Sequence, residues 1–284
     1  MITLKKGIDT IYTMVKAPIS KPFELGIDRK LLILANGPSA KEFWDKEEVR
    51  NKFGLYDLMC MNHAIYKSKE DIFKYKPLYF ILLDPVFFKG RDNDSQSVRE
   101  YAENARKNLY EVLENIDWNA YFITNYHGDI TLKNEKFTIV RLNKNTILPT
   151  KNRYYKLYKK NLANPGMNTV LDGALFFGIT YGYKEIALLG TEFDFFKNII
   201  VDENNMILNN YDHFYKENYK DSKVRIATHY SPEGSLMAYY LHRMSDNFSR
   251  FFILNEYAKY YDCKIYNYTK NSMIDAFERK EIIY

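Results

Sequence analysis

Seven short apolar runs, at positions 31–35, 56–61, 78–83, 120–124, 137–142, 185–189 and 264–268, constrain this chain more than any other feature. Several are apolar at every position rather than at every second one, as in Leu31-Leu32-Ile33-Leu34 and Ile186-Ala187-Leu188-Leu189. A strand that is apolar on both faces has to be covered on both faces, which is the situation of a strand inside a parallel sheet flanked by helices. Helical patterns at 41–53, 95–116, 168–181 and 235–261 separate the runs. The alternation predicts an α/β fold, a Rossmann-like and mostly parallel sheet with helices on both faces and a smaller lid region. In the last helical pattern Met237, Leu241, Met244, Phe248 and Phe251 recur at intervals of three and four, one apolar stripe, and a break is expected at 245–247.

Two segments, 143–165 and 198–228, depart from the alternation, being polar and rich in Asn, Lys and Tyr. The second carries recurring aromatic residues and reads as a lid over a site. No internal repeat or low-complexity linker marks a boundary, so 1–284 reads as a single domain. At 46% apolar and 27% charged residues the chain is globular in composition. No run of about 20 apolar residues is present to span a bilayer. Lys5, Lys6, Asp9, Lys16 and Lys21 interrupt the first segment, which lacks the apolar core of a secretory signal. The expectation is a cytoplasmic protein, with peripheral contact at the inner membrane compatible with its charge. The net charge of +5 comes from basic residues interleaved with acidic ones, not from the basic stripe of a nucleic-acid binder. It suits an anionic small molecule or membrane surface, and an ordinary solvated surface as well. Cys60 and Cys263 have no CxxC partner and read as buried, reduced thiols.

The sharpest local signal follows the first run, where Leu34-Ala35 leads into Asn36-Gly37-Pro38-Ser39 and then a helical pattern. Gly37 permits a tight turn or a close approach, and Ser39 with Glu42 three residues later has the spacing of a capping box. Free N–H groups at such a helix start would favour a phosphate, although the same residues make a plain capped turn. The next two runs end at Asn62-His63 and Asp84-Pro85, and a further one at Gly190-Thr191-Glu192-Phe193-Asp194. Polar residues placed just after successive strands converge on one sheet edge, the usual ligand crevice. Glu192 or Asp194 can accept from a ribose diol or hold a divalent ion against a diphosphate. Asp92-Asn93-Asp94 matches an Asp-x-Asp metal motif but reads as a solvated helix entrance. Of His63, His127, His213, His229 and His242, none has zinc-site spacing. His229 lies between the second polar segment and the long helical pattern, where an imidazole can serve as acid or base.

Taken in order, Asn36-Gly37-Pro38-Ser39, Met61-Asn62-His63, Asp84-Pro85-Val86-Phe87-Phe88, Gly182-Tyr183-Lys184-Glu185-Ile186, Leu189-Gly190-Thr191-Glu192-Phe193, His229, Lys264-Ile265-Tyr266 and Asn271-Ser272 resemble the bacterial sialyltransferases of glycosyltransferase family forty-two. Related flagellin-modifying transferases that use nonulosonic acids have a similar first motif. The resemblance implies a Rossmann-like nucleotide-binding domain of GT-A-type variant with a lid. It further implies inverting, metal-independent transfer, without a cofactor, from a CMP-activated sialic or other nonulosonic acid to a glycan hydroxyl. By position, Asn36, Gly37 and Ser39 would hold the CMP phosphate region and Asn62 the nucleotide. Asp84 would face the donor sugar where the family has Asn, and Gly190 and Glu192 would line the ribose. His229 would be the general base. The family's carboxylate-binding pair falls near Met167 and Val170, leaving Asn168 and Thr169 as the nearby polar residues. Tyr211, Tyr215 or Tyr230 would stand in for its leaving-group tyrosines. The implied partners are a CMP-sugar and a glycan or lipid-linked oligosaccharide acceptor in surface polysaccharide, lipopolysaccharide or capsule synthesis, with a homo-oligomer compatible and nucleic acid excluded. Two alternatives stay open: a metal-dependent transferase of UDP- or GDP-sugars using Glu192, Asp194 or the Asp92 pair, and a non-catalytic nucleotide-binding protein.

Overall fold

The computed structural model describes residues 22, 28–88, 96–128, 130–149, 152–205, 207–209, 224–225 and 236–282. Strands β1 (Lys30–Leu34), β2 (Tyr56–Met61), β3 (Tyr79–Leu82), β4 (Ala120–Thr124), β5 (Phe137–Arg141) and β6 (Glu185–Leu189) occupy six of the seven apolar runs. A three-stranded antiparallel sheet follows, made of β7 (Ile199–Val201), β8 (Ile207–Asn209) and β9 (Val224–Arg225). Strands β10 (Lys264–Asn267) and β11 (Glu278–Arg279) complete the main sheet, whose order is β11-β10-β6-β1-β2-β3-β4-β5. Every pairing in it is parallel.

The two-faced runs do what their composition requires. Leu31 and Ile33 of β1, Met59 of β2, Ile81 of β3 and Leu188 of β6 enter one core. Their neighbours Leu32, Leu34, Cys60, Phe80 and Ala187 enter the other. This is the period-two alternation of a strand, here with apolar side chains on both faces. One core is covered by helices α6 (Arg153–Lys159), α7 (Val170–Tyr181) and α8 (Leu236–Tyr260), through Tyr158, Phe177 and Phe251. The opposite core is covered by α1 (Lys41–Asp45), α2 (Glu47–Lys52), α3 (Ala64–Lys67), α4 (Lys69–Tyr75) and α5 (Gln96–Glu114), through Trp44, Val49, Ile72 and Leu109. Both cysteines are buried free thiols, and burial pushes Cys263 up to about 12.

Several details differ from the periodicity. The pattern at 41–53 is two helices, because Lys46 is extended (φ −108°, ψ 120°) between them. The long helix α8 runs for 25 residues without the expected break. Asn247, in the middle of that stretch, is itself buried, so packing holds the turn together. Segment 143–165 contains α6, whose Tyr155 and Tyr158 are core residues, and a run of hydrogen-bonded asparagines. Among the described residues, no helix is long and apolar enough to cross a membrane.

Helix α7 starts with a capping box in which the Thr169 hydroxyl accepts from the Asp172 N–H and the Asp172 carboxylate accepts from the Thr169 N–H. Asp172 is fully buried, and burial raises its pKa from 3.8 to about 6 against the opposing help of Thr169 and Arg250. The folded state therefore holds this proton more tightly than the unfolded chain. Stability contributed at this site is greatest below the unfolded value and falls as pH rises through the window from 3.8 to about 6. The loss is on the order of 3 kcal/mol at about 1.4 kcal/mol per unit. In Asp172→Asn a carbonyl oxygen still receives the cap N–H groups but does not ionise. Urea unfolding at pH 4.5 and 7.5 is expected to show the variant gaining on the parent by about 2 kcal/mol at the higher pH.

Candidate functional site

The chain turns from β1 to β2 on one side and comes back to β6 on the other, so β1 is where the strand order reverses. In a parallel sheet the loops beyond the carboxyl ends of such strands diverge and leave a crevice. Here the two loops stay in register beyond the strands. Ala35 N–H donates to Leu189 O at 2.9 Å, and Gly37 N–H donates to Gly190 O at 2.8 Å. Gly190 has φ +77°, and a Cβ on it would lie 2.7 Å from the Ala40 Cβ. Glycine is required there both for the backbone angle and for the approach.

Glu192 completes the junction. Its carboxylate lies against Gly37, where an added Cβ would be 1.8 Å from Oε2 and 2.6 Å from the Gly190 carbonyl oxygen. Its Oε1 accepts the Ser39 backbone N–H at 2.6 Å. The capping box expected from Ser39 and Glu42 is not formed. Pro38–Ala40 is a 3₁₀ turn capped by Gly37 without a side-chain bond. Glu42 pairs with Lys46 at 3.1 Å instead. A carboxylate from 153 residues along the chain has taken the N–H that a local side chain or a phosphate would have used. The expected phosphate position is thus already negative.

The loop carrying Glu192 is clamped from below. Thr191 N–H donates to Thr269 Oγ1 at 3.0 Å, Ser272 Oγ donates to Thr191 O at 2.5 Å, and Met273 N–H donates to Glu192 O at 2.7 Å. Phe193 follows with φ +53°, an unusual angle for a bulky residue that costs about 1–2 kcal/mol. Its ring is held against Phe251 and Phe248, with centroids at 4.9 and 5.3 Å.

Further along the edge, Asn62 ends β2 with φ +47° and donates its N–H to Ile81 O at 3.1 Å. His63 beside it contacts Tyr101 OH through Nε2 at 2.8 Å and packs on Phe87. Asp84 ends β3 and is exposed, its Oδ1 accepting from Val86 N–H at 3.0 Å to cap the turn Pro85–Phe87. Asn36 Oδ1, Ser39 Oγ, Asn62 Oδ1 and Glu192 Oε2 are buried and have no hydrogen-bond partner. Three of these four atoms are pure acceptors and the fourth is a hydroxyl. Buried acceptors without donors are expensive, so this crevice is complementary to a group rich in O–H or N–H.

Asn168 and Thr169 belong to a different cluster. Thr169 is committed to the α7 cap, and the Asn168 N–H also donates to Asp172 at 3.0 Å. With its amide oriented to satisfy its neighbours, Asn168 accepts from Arg250 Nε at 2.9 Å, while Arg250 Nη1 donates to Pro165 O at 2.8 Å. Arg250 had no motif in the sequence; helix packing brings it to the loop before α7. His229, Tyr211, Tyr215 and Tyr230 lie outside the described residues, as do Asp92, Asp94 and His213. Asp194 pairs with Lys197 at 3.4 Å. Among the described residues, no three His, Cys, Asp or Glu side chains gather as a metal site would. A cleft of about 450 Å³ lies elsewhere, between α2 and α4, lined by Phe43, Arg50, Phe53, Tyr56, Lys74 and Tyr75, and contains none of the residues expected from the sequence to act.

No family model matches the chain, and no curated protein matches it. Among solved structures, it is similar to the MAf glycosyltransferase from Magnetospirillum magneticum AMB-1, at 11% identity and a TM-score of 0.45. That match covers 96% of this chain and 37% of the other, so the chain spans little more than a third of that protein's length.

The contact between Gly37 and Glu192 is testable by a double-mutant cycle. Gly37→Ala is expected to destabilise by about 2 kcal/mol or more, because the new methyl meets the Gly190 carbonyl oxygen, a backbone atom, as well as the Glu192 carboxylate. In a Glu192→Ala background one of the two obstructions is gone. Chemical denaturation is expected to give at least about 1 kcal/mol of coupling between the sites, whereas additive losses would show that they do not press on each other.

Proposed function

We propose that this chain is a glycosyltransferase that binds the nucleoside end of a nucleotide sugar at the β6–β1–β2 edge. The single observation that carries the reading is the set of buried oxygens without partners just past the ends of β1, β2 and β6, Glu192 Oε2 among them. A ribose diol presents two O–H donors at close spacing, and a carboxylate with one oxygen spare, flanked by amide oxygens, receives them well. The same set disfavours a phosphate at Asn36–Ser39, so the phosphate lies beyond this crevice. In this reading Glu192 holds the ribose, Asn36, Ser39 and Asn62 complete the donor-reading surface, and Gly37 and Gly190 line it by leaving room for Glu192 and Ala40.

The finer assignment follows the motif order rather than the geometry. The donor is a CMP-activated sialic or other nonulosonic acid, and the acceptor is a glycan or lipid-linked oligosaccharide of a bacterial surface polysaccharide. Transfer is inverting and uses no metal. His229 removes the acceptor proton, a role that suits an imidazole with a near-neutral pKa. Asp84, at the next strand end, faces the sugar, and Tyr211, Tyr215 or Tyr230 steadies the leaving phosphate. Asn168 and Thr169 act through the Asp172 and Arg250 cluster that shapes the wall behind.

Calorimetric titration of cytidine, 2′-deoxycytidine and CMP into the full chain tests the nucleoside site. Loss of one hydroxyl, or Glu192→Ala with the ribonucleoside, is expected to weaken binding by about tenfold or more, as for a hydrogen bond to a charged group. Equal affinity for the ribo and deoxy forms would overturn the ribose assignment. With a CMP-sugar and acceptor in hand, His229→Ala is expected to lower turnover at least about a hundredfold with donor affinity kept, and EDTA to leave the rate unchanged.

A further inference from the structure

The far end of the same edge has the opposite chemistry. After β4, His127 places Nε2 2.8 Å from the Leu142 carbonyl oxygen. A carbonyl only accepts, so Nε2 carries the proton and Nδ1 is left with a lone pair in the neutral ring. Burial, with further pressure from the cations Lys144 and Arg141, lowers the pKa of this imidazole. The Lys144 ammonium lies 5.8 Å from the Tyr126 ring centroid, and Tyr126 stacks in parallel on Phe88 at 4.6 Å. No carboxylate pairs with Lys144 among the described residues. Asn143, fully buried, accepts the Asn145 N–H at 2.7 Å. The side-chain Nδ2 groups of Asn143 and Asn145 are buried without an acceptor.

From β6 to β5 the unsatisfied groups are sorted by sign, while beyond β6 the buried Asn267 Nδ2 at the end of β10 is a donor without a partner. Oxygen acceptors and a carboxylate stand at β6, β1 and β2. Nitrogen donors, an unpaired ammonium and an imidazole stand at β4 and β5. Asp84, exposed at the end of β3, separates them. We propose that the loops after β4 and β5 form an oxyanion subsite, built by Lys144, Asn145 and His127 with Asn143 beneath, that takes a carboxylate or phosphate group of the sugar substrate.

Lys144 supplies the charge, and the Asn145 amide supplies a donor held in place by Asn143. An anion arriving beside Nδ1 offsets Lys144 and Arg141, and the imidazole takes up a proton to become a second donor. Position limits which anion this can be. β1 and β4 are three strand spacings apart, about 14 Å at roughly 4.8 Å each. A phosphate joined directly to a ribose at Glu192 stays near that ribose, so the group bound here belongs to the transferred sugar or to the acceptor. Only this last identification rests on the nucleotide-sugar reading.

The test uses the full chain with inorganic phosphate and glucuronate as probes, followed by the ¹³C and ¹⁵N resonances of the His127 ring. Either probe is expected to saturate the His127 shifts and raise its titration midpoint by about one unit, as a nearby opposite charge does. Lys144→Gln, a change at an exposed position, is expected to weaken the probe by about tenfold while leaving cytidine affinity as it was; Glu192→Ala is expected to do the reverse. Tighter binding of glucuronate assigns the subsite to a sugar carboxylate, and tighter binding of phosphate assigns it to a phosphorylated acceptor. Absence of a His127 response to both probes, or a response that survives Lys144→Gln unchanged, overturns the proposal. If the probes bind and cytidine does not, the subsite stands and the nucleoside reading fails.

Discussion

The fold closes on one carboxylate. Glu192 reaches from the loop after β6 to the first turn after β1, taking the Ser39 N–H at 2.6 Å and lying flat on Gly37. These two loops belong to the strands between which the chain changes direction across the sheet, and their backbones would otherwise splay into an open crevice. A carboxylate with one oxygen bonded and one without a partner joins the two halves. The clamp of Thr269, Ser272 and Met273 on the same loop shows how much structure is spent on keeping Glu192 there. So does the left-handed backbone of Phe193, which persists because its ring is locked among Phe248 and Phe251.

That placement changes what the first turn can recognise. A helix start with free N–H groups is ordinarily an anion site. Filling it with a side-chain carboxylate reverses its preference, since the local positive end is used internally and the side-chain atoms left without a partner are acceptors. Recognition along the edge then depends on the order of its loops. Each strand contributes one or two polar residues just past its carboxyl end, and parallel pairing keeps those contributions in the order β6, β1, β2, β3, β4, β5. The sign of the available groups changes along that row, from the spare oxygen of Glu192 to the unpaired ammonium of Lys144. A ligand that fits this edge has a preferred direction, with its donor-rich part towards β6 and its anionic part towards β5.

Much of the main sheet is legible in the residues themselves. All seven apolar runs become strands with boundaries within a residue or so, because a run such as Leu31-Leu32-Ile33-Leu34 has no half-exposed location in which it could be stable. The short strands β7, β8, β9 and β11 carry no such pattern, having only two or three residues each. Helix α6 is hidden for a different reason. Its inward face is built from Tyr155 and Tyr158, which read as polar or interfacial until the packing partner is known. The 25 residues of α8 stay continuous through Ser245, Asp246 and Asn247 because tertiary contacts outweigh the weak helix propensity of those residues.

The site divides along the same line between local and distant interactions. That Asn36, Asn62, Asp84 and Glu192 converge on one edge follows from topology alone, since a parallel sheet sends every strand end to the same side. Which atoms remain available does not follow, because that depends on pairs far apart in sequence. Ser39 and Glu42 have capping-box spacing, yet the winning partner for the Ser39 N–H is 153 residues away. A local cap and a distant carboxylate are similar in hydrogen-bond energy. The distant one prevails because Gly37 offers a surface with no Cβ, so Glu192 buries most of its side chain while making the bond, whereas Glu42 on α1 makes a solvent-exposed ion pair with Lys46. Gly37 therefore decides the local chemistry: by admitting the carboxylate it turns an anion cradle into a cluster of oxygen acceptors.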